Sequence, residues 1–294
     1  MLKIEAPYAP IEEVKLPLFE EKQLQVFIKR EDLSHPYISG NKWRKLKYHL
    51  LHAEAMHKNT LVTFGGAYSN HLLATAAAGA KYKFKTFGFV RGEQVSNTVL
   101  QLCSIFGMQL QFVSRENYRN KEELFKHYFG LNQEAIFIPE GGAGKLGEQG
   151  VAEMLEEDCF AQNKFTDICC SVGTGSTLRG LLQGLANTAN PTKAHGFVVL
   201  KGAENMLQEF AEFSAESFHL HHRFHGGGYA KSDANLIAFI KQFAGSTGIL
   251  LDQVYEGKMM LGVQTLAQEN YFAPNSKILV LHNGGVIGLS GILS

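Results

Sequence analysis

The chain has 294 residues, 45% of them hydrophobic, with 28 basic and 28 acidic side chains, which is enough for one large or two moderate domains. Its zero net charge argues against a nucleic-acid or anionic-membrane partner, because either would need a basic excess. No uncharged apolar run is long enough to span a bilayer, and the first residues lack a signal-peptide core, so we expect no membrane partner and a cytoplasmic protein.

Predicted helices and short apolar strands alternate along the chain. The predicted helices cover residues 43–58, 69–82, 97–107, 118–129, 147–158, 176–187, 204–213, 233–245 and 257–270. The predicted strands cover residues 60–66, 84–92, 108–114, 134–142, 166–175, 194–202, 217–224 and 276–285. This order predicts an α/β fold with parallel sheets and helices on both faces. Ligands in such folds bind at the carboxyl ends of the strands, and the glycine-rich segment 140–150 is the best candidate for a crossing between two lobes.

Lys42 follows a Gly40-Asn41 turn at the start of the first predicted helix. A free lysine amine, with a pKa of about 10.4, is protonated and inert at neutral pH. Partial burial beside Arg44 and Lys45 would lower that pKa and favour the nucleophilic form. A basic run such as NKWRKLK is more usually a solvated helix face. We hypothesise instead that the turn directs Lys42 into a cleft.

A second polar segment, Ser69-Asn70-His71, follows the glycines that end the strand predicted at 60–66. The N–H groups at a helix start, with a hydroxyl and an amide beside them, suit a carboxylate. The alternative is an ordinary N-cap, because Ser and Asn are the usual capping residues.

The loop 173–177, Gly-Thr-Gly-Ser-Thr, lies between a predicted strand and a predicted helix that Ser176 or Thr177 is suited to cap. Its glycines allow close approach of the backbone, and the helix dipole favours an anion, so a lone phosphate monoester is the natural ligand. The glycine spacing differs from the GxGxxG of a dinucleotide site. A tight turn without a ligand is the alternative.

These three features together match pyridoxal phosphate bound with an amino acid. That pair presents a phosphate, a carboxylate and an aldehyde that forms a Schiff base with a lysine amine. The histidines at 219, 221 and 225 share one face of a predicted strand, but no carboxylate or cysteine completes a metal-ligand set. We therefore predict pyridoxal 5'-phosphate as the cofactor and no metal.

Five motifs, SGNKWRKL, GGAYSNH, GTGSTLRGL, GGGYA and VYEGKMMLG, together resemble the family of 1-aminocyclopropane-1-carboxylate deaminase and D-cysteine desulfhydrase, from about residue 25 to the end. These are pyridoxal-phosphate enzymes of the tryptophan-synthase-β type, or fold type II. The resemblance implies two domains, each an open, mostly parallel sheet. Residues 1–45 and 150–294 would form a large cofactor-binding domain, and residues 46–149 a small inserted one.

The resemblance also implies roles for residues that match the motifs. Lys42 would be the Schiff-base lysine. Glu256 would lie beside the pyridine nitrogen and keep it protonated, which makes the ring a strong electron sink. The remaining cofactor contacts would come from Lys45, Asn70, Gly173, Thr174, Gly175, Ser176 and Thr177, with Asn70 near the ring oxygen and the others at the phosphate.

The same resemblance implies which residues contact the substrate. Ser69 would also handle a proton or assist attack, and Tyr229 and Tyr255 would face the substrate with it. The full set of implied substrate contacts is Ser69, Asn70, His71, Tyr229, Tyr255 and Asn283. SNH resembles the desulfhydrase branch, whereas Glu256 resembles the deaminase branch, and Asn283 stands where relatives commonly have Thr or Leu.

We expect a small amino acid as the substrate and a homodimer as the assembly. Several functions stay open. We favour conversion of D-cysteine to pyruvate, ammonia and sulfide, because it asks only for proton removal and a good leaving group. The first alternative is 1-aminocyclopropane-1-carboxylate deamination to 2-oxobutanoate and ammonia, and the further ones are an amino-acid racemase and a non-catalytic pyridoxal-phosphate-binding protein. The acid–base candidates Lys42, Ser69, Tyr229 and Tyr255 favour an enzyme over a carrier.

Overall fold

A computed structural model describes residues 2–5, 7–188 and 191–291. Its strands are β1 Ile11–Val14, β2 Gln25–Lys29, β3 Thr60–Gly66, β4 Lys85–Arg91, β5 Gln109–Val113, β6 Ala135–Phe137, β7 Asp167–Val172, β8 Lys193–Val198, β9 Phe218–His221 and β10 Lys277–Leu281. Its α-helices are α1 Pro17–Glu21, α2 Asn41–Ala55, α3 Asn70–Tyr82, α4 Thr98–Ile105, α5 Lys121–Phe129, α6 Lys145–Ala152, α7 Asp158–Asn163, α8 Ser176–Ala186, α9 Ala234–Thr247 and α10 Glu256–Gln268. Within these residues, no helix is both long and apolar enough to cross a membrane.

The larger sheet has six strands in the order β1-β2-β10-β7-β8-β9 and draws them from both ends of the chain. Only β1 pairs antiparallel, with β2, and the other pairs are parallel. The central strands are apolar on both faces, as strands covered on both sides must be. In β10, Val280 packs with α9 and α10, whereas Leu279 packs on the opposite face with α8.

The smaller sheet has four parallel strands in the order β5-β4-β3-β6. On one face, small and branched residues of α2, α3 and α4 pack against β3 and β4. On the other face, an aromatic cluster joins the sheet to α5; its buried members include Phe64, Phe89 and Tyr118. Both sheets are thus covered by helices, which leaves the carboxyl ends of their strands open to ligands.

The predicted fold class is confirmed, because both sheets are mostly parallel and flanked by helices. The domain limits, 1–45 with 150–294 and 46–149 between them, stay a prediction. Helix α2 runs through residue 45: its first turn reaches the loop after β7, whereas Leu46, Leu50 and Ala53 pack with residues of β3 and α3.

Several parts of the chain differ from the sequence-based prediction. Strands β1 and β2 and the short helix α1 were not predicted, because four- and five-residue segments carry little periodicity. The predicted helix 204–213 is a 3-10 helix, Glu204–Phe210. The predicted strand 134–142 ends at Phe137, since Pro139 cannot donate to a sheet and both Gly141 and Gly142 have positive φ.

Candidate active site

Lys42 lies in the first turn of α2, where the loop after β10 meets the helix. Gly40, with φ +66°, caps the helix, and a Cβ atom there would lie 1.7 Å from the carbonyl oxygen of Asn283. Only glycine, which has no Cβ atom, allows the start of the helix to lie this close to the Asn283 carbonyl group. The Lys42 amine donates to Oδ1 of Asn41 at 2.6 Å. The Gly-Asn turn therefore places Lys42 at the start of α2, beside the loop after β10, and the role of this turn in directing Lys42 into a cofactor cleft stays a prediction.

The pKa of the Lys42 amine is lowered from 10.5 to about 8, chiefly by burial, although the carboxyl groups of Glu256 and Asp252 raise it in part. The expected contribution of Arg44 is wrong. Its guanidinium lies 2.6 Å from Glu31 and 2.7 Å from Glu157, so its charge is neutralised in a separate buried network. Residues two apart on a helix point to different sides, which explains the difference.

The glycine loop after β7 meets the start of α2. Lys45 is buried and its Nζ donates to Oγ of Ser176 at 2.8 Å, while Nδ2 of Asn41 donates to Oγ1 of Thr177 at 3.0 Å. Burial, and then the Lys42 amine, lower the pKa of Lys45 well below its ordinary value. An anion bound here would offset both effects, so these groups form a site suited to a phosphate.

The expected capping of α8 by Ser176 or Thr177 is wrong. Gly175, with φ +79°, occupies the N-cap position and supplies no side-chain cap, and Ser176 is already the first helical residue. The Oγ atoms of Thr174 and Ser176 lie 3.4 Å apart. The two hydroxyls therefore stay at the open end of the helix, beside N–H groups that have no partner within the helix.

Ser69 caps α3, and its Oγ accepts a hydrogen bond from the backbone N–H of Leu72 at 3.3 Å. Its neighbour Asn70 faces the loop after β10, because a Cβ atom at Gly285 would lie 3.3 Å from Nδ2 of Asn70 and 3.1 Å from the carboxyl carbon of Asp252. The capping interpretation of this segment is confirmed, and the binding of a carboxylate at the same helix start stays a prediction.

The side chain of His71 has one fixed role. The Thr63 hydroxyl donates to the carbonyl oxygen of Ile138 at 2.9 Å, so it can only accept the 2.8 Å hydrogen bond from Nε2 of His71. Burial, and then Lys42, lower the pKa of His71 well below its ordinary value, so Nδ1 carries no proton. The imidazole therefore has no N–H to offer a carboxylate, and only the backbone N–H of His71 can serve as that donor.

Glu256 is buried at the start of α10, and its Oε1 accepts a 3.0 Å hydrogen bond from the Ser171 hydroxyl. Its Oε2 is also buried and finds no hydrogen-bond partner among the described residues. Burial, and then Asp252, raise the pKa of Glu256 well above its ordinary value, while hydrogen bonds from Ser171 and Asn283 act in the opposite direction. A buried carboxyl oxygen without a protein partner can pair with a ligand atom.

Two tyrosines of the larger sheet's loops face each other. The hydroxyl of Tyr255 donates to that of Tyr229 at 3.4 Å, and the Tyr255 ring packs against the phosphate loop, 3.2 Å from a Cβ atom at Gly173. Burial, and then Tyr229, raise the pKa of Tyr255 well above its ordinary value. Tyr255 therefore supplies a phenol rather than a phenolate at neutral pH.

The sequence-based prediction did not include some residues of the site. The carboxylate of Asp252 accepts hydrogen bonds from the backbone N–H groups of Val254, Tyr255 and Glu256 at 2.7–2.9 Å, and so holds Tyr255 and Glu256 in place. An aspartate five residues before the helix predicted at 257–270 was the available signal. Ser171 and Thr63 lie inside buried strands, where nothing local distinguishes them from core residues.

The histidine cluster lies away from this site, at the edge of the larger sheet. His221 is buried, and its Nε2 lies 3.2 Å from Nδ1 of His195, whose Nε2 lies 2.8 Å from Asp167. The rings of His219 and His221 are 4.5 Å apart, whereas His225 lies in the following loop and its Nδ1 accepts from the backbone of Gly227. No group of three ligand residues among the described ones is placed to hold a metal ion.

Pyridoxal phosphate fits the residues that converge in the cleft. The hydroxyls and amine of the Lys45–Ser176 region suit its phosphate, the Lys42 amine suits its aldehyde, and the unpaired Oε2 of Glu256 suits its ring nitrogen. These groups are far apart in the sequence, from residue 42 to residue 256. They come together because β7 and β10 are neighbours in the sheet and α2 begins beside them.

Comparisons with known proteins agree with this fit. A family model described as pyridoxal-phosphate dependent enzyme matches residues 5–284. A Thermotoga maritima protein named putative 1-aminocyclopropane-1-carboxylate deaminase is 31% identical over 291 residues, covering 92% of each chain. An Arabidopsis thaliana protein named bifunctional D-cysteine desulfhydrase/1-aminocyclopropane-1-carboxylate deaminase, mitochondrial, is 29% identical over 90% of this chain and 73% of its own.

A crystal structure of an ACC deaminase homologue superposes with a TM-score of 0.83 at 29% identity, over 96% of this chain and 90% of that one. The family match, the two relatives and the shared fold all cover nearly the whole chain. The chain therefore belongs to the pyridoxal-phosphate-dependent enzymes, in the family of 1-aminocyclopropane-1-carboxylate deaminase and D-cysteine desulfhydrase.

Proposed function

We propose that the protein removes the thiol group of D-cysteine and releases pyruvate, ammonia and sulfide. The observation that carries this proposal is the pairing of a lysine amine whose pKa is lowered to about 8 with Tyr255, which remains protonated and donates a hydrogen bond to Tyr229. Such a site holds one base and several hydrogen-bond donors. β-Elimination needs this combination and no nucleophile.

In this proposal each group has one task. The bound cofactor supplies an electron sink for the negative charge that develops at Cα. Lys42 accepts the Cα proton, Ser69 and Asn70 hold the substrate carboxylate at the start of α3, and Glu256 supports the protonated ring nitrogen. His71 contributes its backbone N–H and positions the helix start through Thr63.

Opening a cyclopropane ring would ask more of these residues, because a C–C bond breaks and a nucleophile or base must reach the ring. Tyr255 is a candidate for this role, but burial keeps it protonated. Its hydroxyl is also the donor in the hydrogen bond to Tyr229. This is why we place D-cysteine ahead of 1-aminocyclopropane-1-carboxylate.

The deaminase reaction is the second candidate, and the names of the relatives favour it. The Thermotoga maritima relative is named a putative deaminase, and the Arabidopsis thaliana relative is named for both activities. A racemase or a non-catalytic pyridoxal-phosphate carrier is a weaker candidate, because neither explains a tyrosine pair beside the phosphate loop.

The test is a product assay with cofactor-loaded protein. Pyruvate, 2-oxobutanoate, sulfide and ammonia are measured with D-cysteine, L-cysteine and 1-aminocyclopropane-1-carboxylate, and loss of optical activity is followed with D- and L-alanine. Pyruvate with equimolar sulfide from D-cysteine supports the proposal. Faster release of 2-oxobutanoate from 1-aminocyclopropane-1-carboxylate replaces it with the second candidate. Racemisation alone, or no turnover, contradicts both.

We also infer a cytoplasmic homodimer with the two-domain division 1–45 with 150–294 and 46–149. Exposed apolar side chains such as Ile105 and Leu131 are consistent with a contact surface. Sedimentation equilibrium tests the dimer: a mass twice the 32.5 kDa of the chain is expected, and a monomer at micromolar concentration would contradict it.

A further inference from the structure

Lys258 is a buried residue of α10 that has no role in the site described so far. It lies in the first turn of the helix, three positions after Tyr255 and two after Glu256. Its side chain is only 2% exposed, although lysine is rarely buried without partners. A buried ammonium group is costly unless it is hydrogen-bonded, so the partners of Lys258 indicate its role.

The partners of Lys258 are two carbonyl groups of one loop. Its Nζ donates to the backbone oxygen of His225 at 2.8 Å and to that of Gly228 at 2.7 Å. Its methylene stem lies against the same loop, because a Cβ atom at Gly226 would lie 3.2 Å from Cε of Lys258. Lys258 therefore spans the turn that leads directly into Tyr229. We call residues 225–229 the tyrosine loop.

The tyrosine loop has little conformational preference of its own. Gly226, Gly227 and Gly228 are consecutive and have φ values of +58°, +87° and +127°. The loop lies between β9 and α9, outside any helix or strand. Glycine loses more conformational freedom on ordering than any other residue, so a run of three needs contacts from another segment. Lys258 supplies such a contact.

The start of α10 is a firm anchor for the tyrosine loop. The carboxylate of Asp252 accepts hydrogen bonds from the backbone N–H groups of residues 254–256. Tyr255 and Lys258 reach the loop from this fixed segment, since the Tyr255 hydroxyl donates to that of Tyr229 and Lys258 donates to the loop carbonyl groups. One helix start therefore contacts Tyr229 directly and also holds the backbone that carries it.

We propose that Lys258 is a positioning residue for the reaction, whose ammonium group fixes the tyrosine loop so that the Tyr229 hydroxyl stays beside that of Tyr255. The ring of Tyr229 is 49% exposed, so packing alone does not hold it. This inference rests on the proposed function, because it takes Tyr229 as one of the groups that face the substrate. Lys258 acts through Tyr229 and takes no part in proton transfer.

Trypsin cleavage tests the contact without any turnover. Arg223 and Lys231 lie on either side of the tyrosine loop, and both are exposed. Cleavage after either residue therefore reports opening of the loop. In cofactor-loaded protein without substrate, we expect Lys258→Met to speed cleavage at these two sites by about 10-fold or more, because two hydrogen bonds to a charged group are lost.

The Lys258→Met variant is chosen so that the protein still folds. Methionine fills most of the space of the lysine stem, and each loop carbonyl group keeps a backbone donor, from Gly228 and Lys231 respectively. The matched control is Lys58→Met, which removes a lysine hydrogen bond to the carbonyl group of Gln133 beside the smaller sheet. Cleavage of the tyrosine loop in this control should equal that in the wild type.

A double-mutant cycle tests whether Lys258 acts through Tyr229. We measure kcat/KM for D-cysteine in Lys258→Met, in Tyr229→Phe and in the double variant. Lys258→Met alone should lower kcat/KM by about 10-fold, but by less than about 3-fold when Tyr229→Phe is already present, because the hydroxyl group that it positions is then absent. A general structural role would lower kcat/KM by the same factor in both backgrounds.

The outcomes separate the positioning role from the proposed function. Faster cleavage together with unequal falls in the two backgrounds supports the role. Unchanged cleavage, or equal falls, would overturn it even if the wild type converts D-cysteine. A wild type that forms no pyruvate from D-cysteine would overturn the proposed function, and the same cycle is then measured with 1-aminocyclopropane-1-carboxylate.

A second variant keeps the test decisive if Lys258→Met does not fold. Lys258→Gln also lacks the charge but places a polar group near the loop, so it should give smaller changes of the same kind. Failure of both variants to fold would show that Lys258 supports the whole protein rather than the tyrosine loop, which would overturn the positioning role.

Discussion

The Nζ atom of Lys45 and the Oγ atom of Ser176 lie 2.8 Å apart, although 131 residues separate them in the sequence. This contact joins the first turn of α2 to the first turn of α8. Asn41 and Thr177 form a second contact, at 3.0 Å, between the same two helix starts. Contacts within the protein therefore bring together the residues expected to hold a phosphate.

Removing a hydroxyl from this assembly should weaken cofactor binding. We expect Ser176→Ala and Thr177→Ala each to reduce the affinity for pyridoxal phosphate by about 1–3 kcal/mol, the usual scale for a hydrogen bond to a charged group. Absorbance titration of cofactor-free protein measures this. Ser246→Ala, in a helix far from the cleft, is the control. Unchanged affinity in both site variants would mean that the loop is only a turn.

The lowered pKa of Lys42 predicts how its reactivity depends on pH. In cofactor-free protein, acetylation of Lys42 should rise with a midpoint near pH 8, because the neutral amine is the reactive form. The unfolded chain, with a pKa near 10.5, binds this proton more tightly. Lys42 therefore reduces stability below about pH 8, and this penalty is relieved as the pH rises to about 10.5.

Competitive labelling followed by peptide mass spectrometry gives the midpoint, and the same peptide in denaturant is the control. A midpoint in the folded protein equal to that in denaturant would show that the amine is not desolvated.

Glu256→Gln tests the partner of the ring nitrogen. Glutamine preserves the shape of the side chain and can still accept from Ser171, but it cannot keep the ring nitrogen protonated. We expect turnover of D-cysteine to fall by about one to two orders of magnitude while the cofactor stays bound. Glu269→Gln, just beyond the other end of α10, should leave turnover unchanged. Equal activity in the two variants would remove the role of Glu256.

Gly40→Ala should disrupt the meeting of α2 with the loop after β10. The added Cβ atom would lie 1.7 Å from the carbonyl oxygen of Asn283, in a backbone conformation that alanine rarely adopts. We expect a loss of at least about 2 kcal/mol in the free energy of unfolding. Urea denaturation measures this, and Gly245→Ala, in α9 with open space around it, is the control. A urea midpoint for Gly40→Ala equal to that of the wild type would contradict the close contact between Gly40 and Asn283.

Local patterns predicted those parts of the site that a short segment encodes by itself. The turn before Lys42, the cap at Ser69 and the loop at Gly173 each combine a strand end, a helix start and a special residue type within a few positions. The alternation of these segments was also enough for the fold class.

The other features of the site depend on contacts between segments that are distant in the sequence. Arg44 was assigned to Lys42 because the two are only two residues apart in the sequence, yet their positions on the helix turn Arg44 towards Glu31. The tautomer of His71 depends on Thr63 and Ile138, which lie on other segments of the smaller sheet region. No pattern of nearby residues carries that information.

Reductive trapping of the cofactor tests the central claim most directly. Cofactor-loaded protein is treated with borohydride and digested, and the modified peptide is sequenced by mass spectrometry. The account predicts a single pyridoxyl-modified lysine, Lys42, whose amine has a lowered pKa and lies at the first turn of α2. Modification at Lys45 or at any other lysine, with Lys42 free, would contradict it.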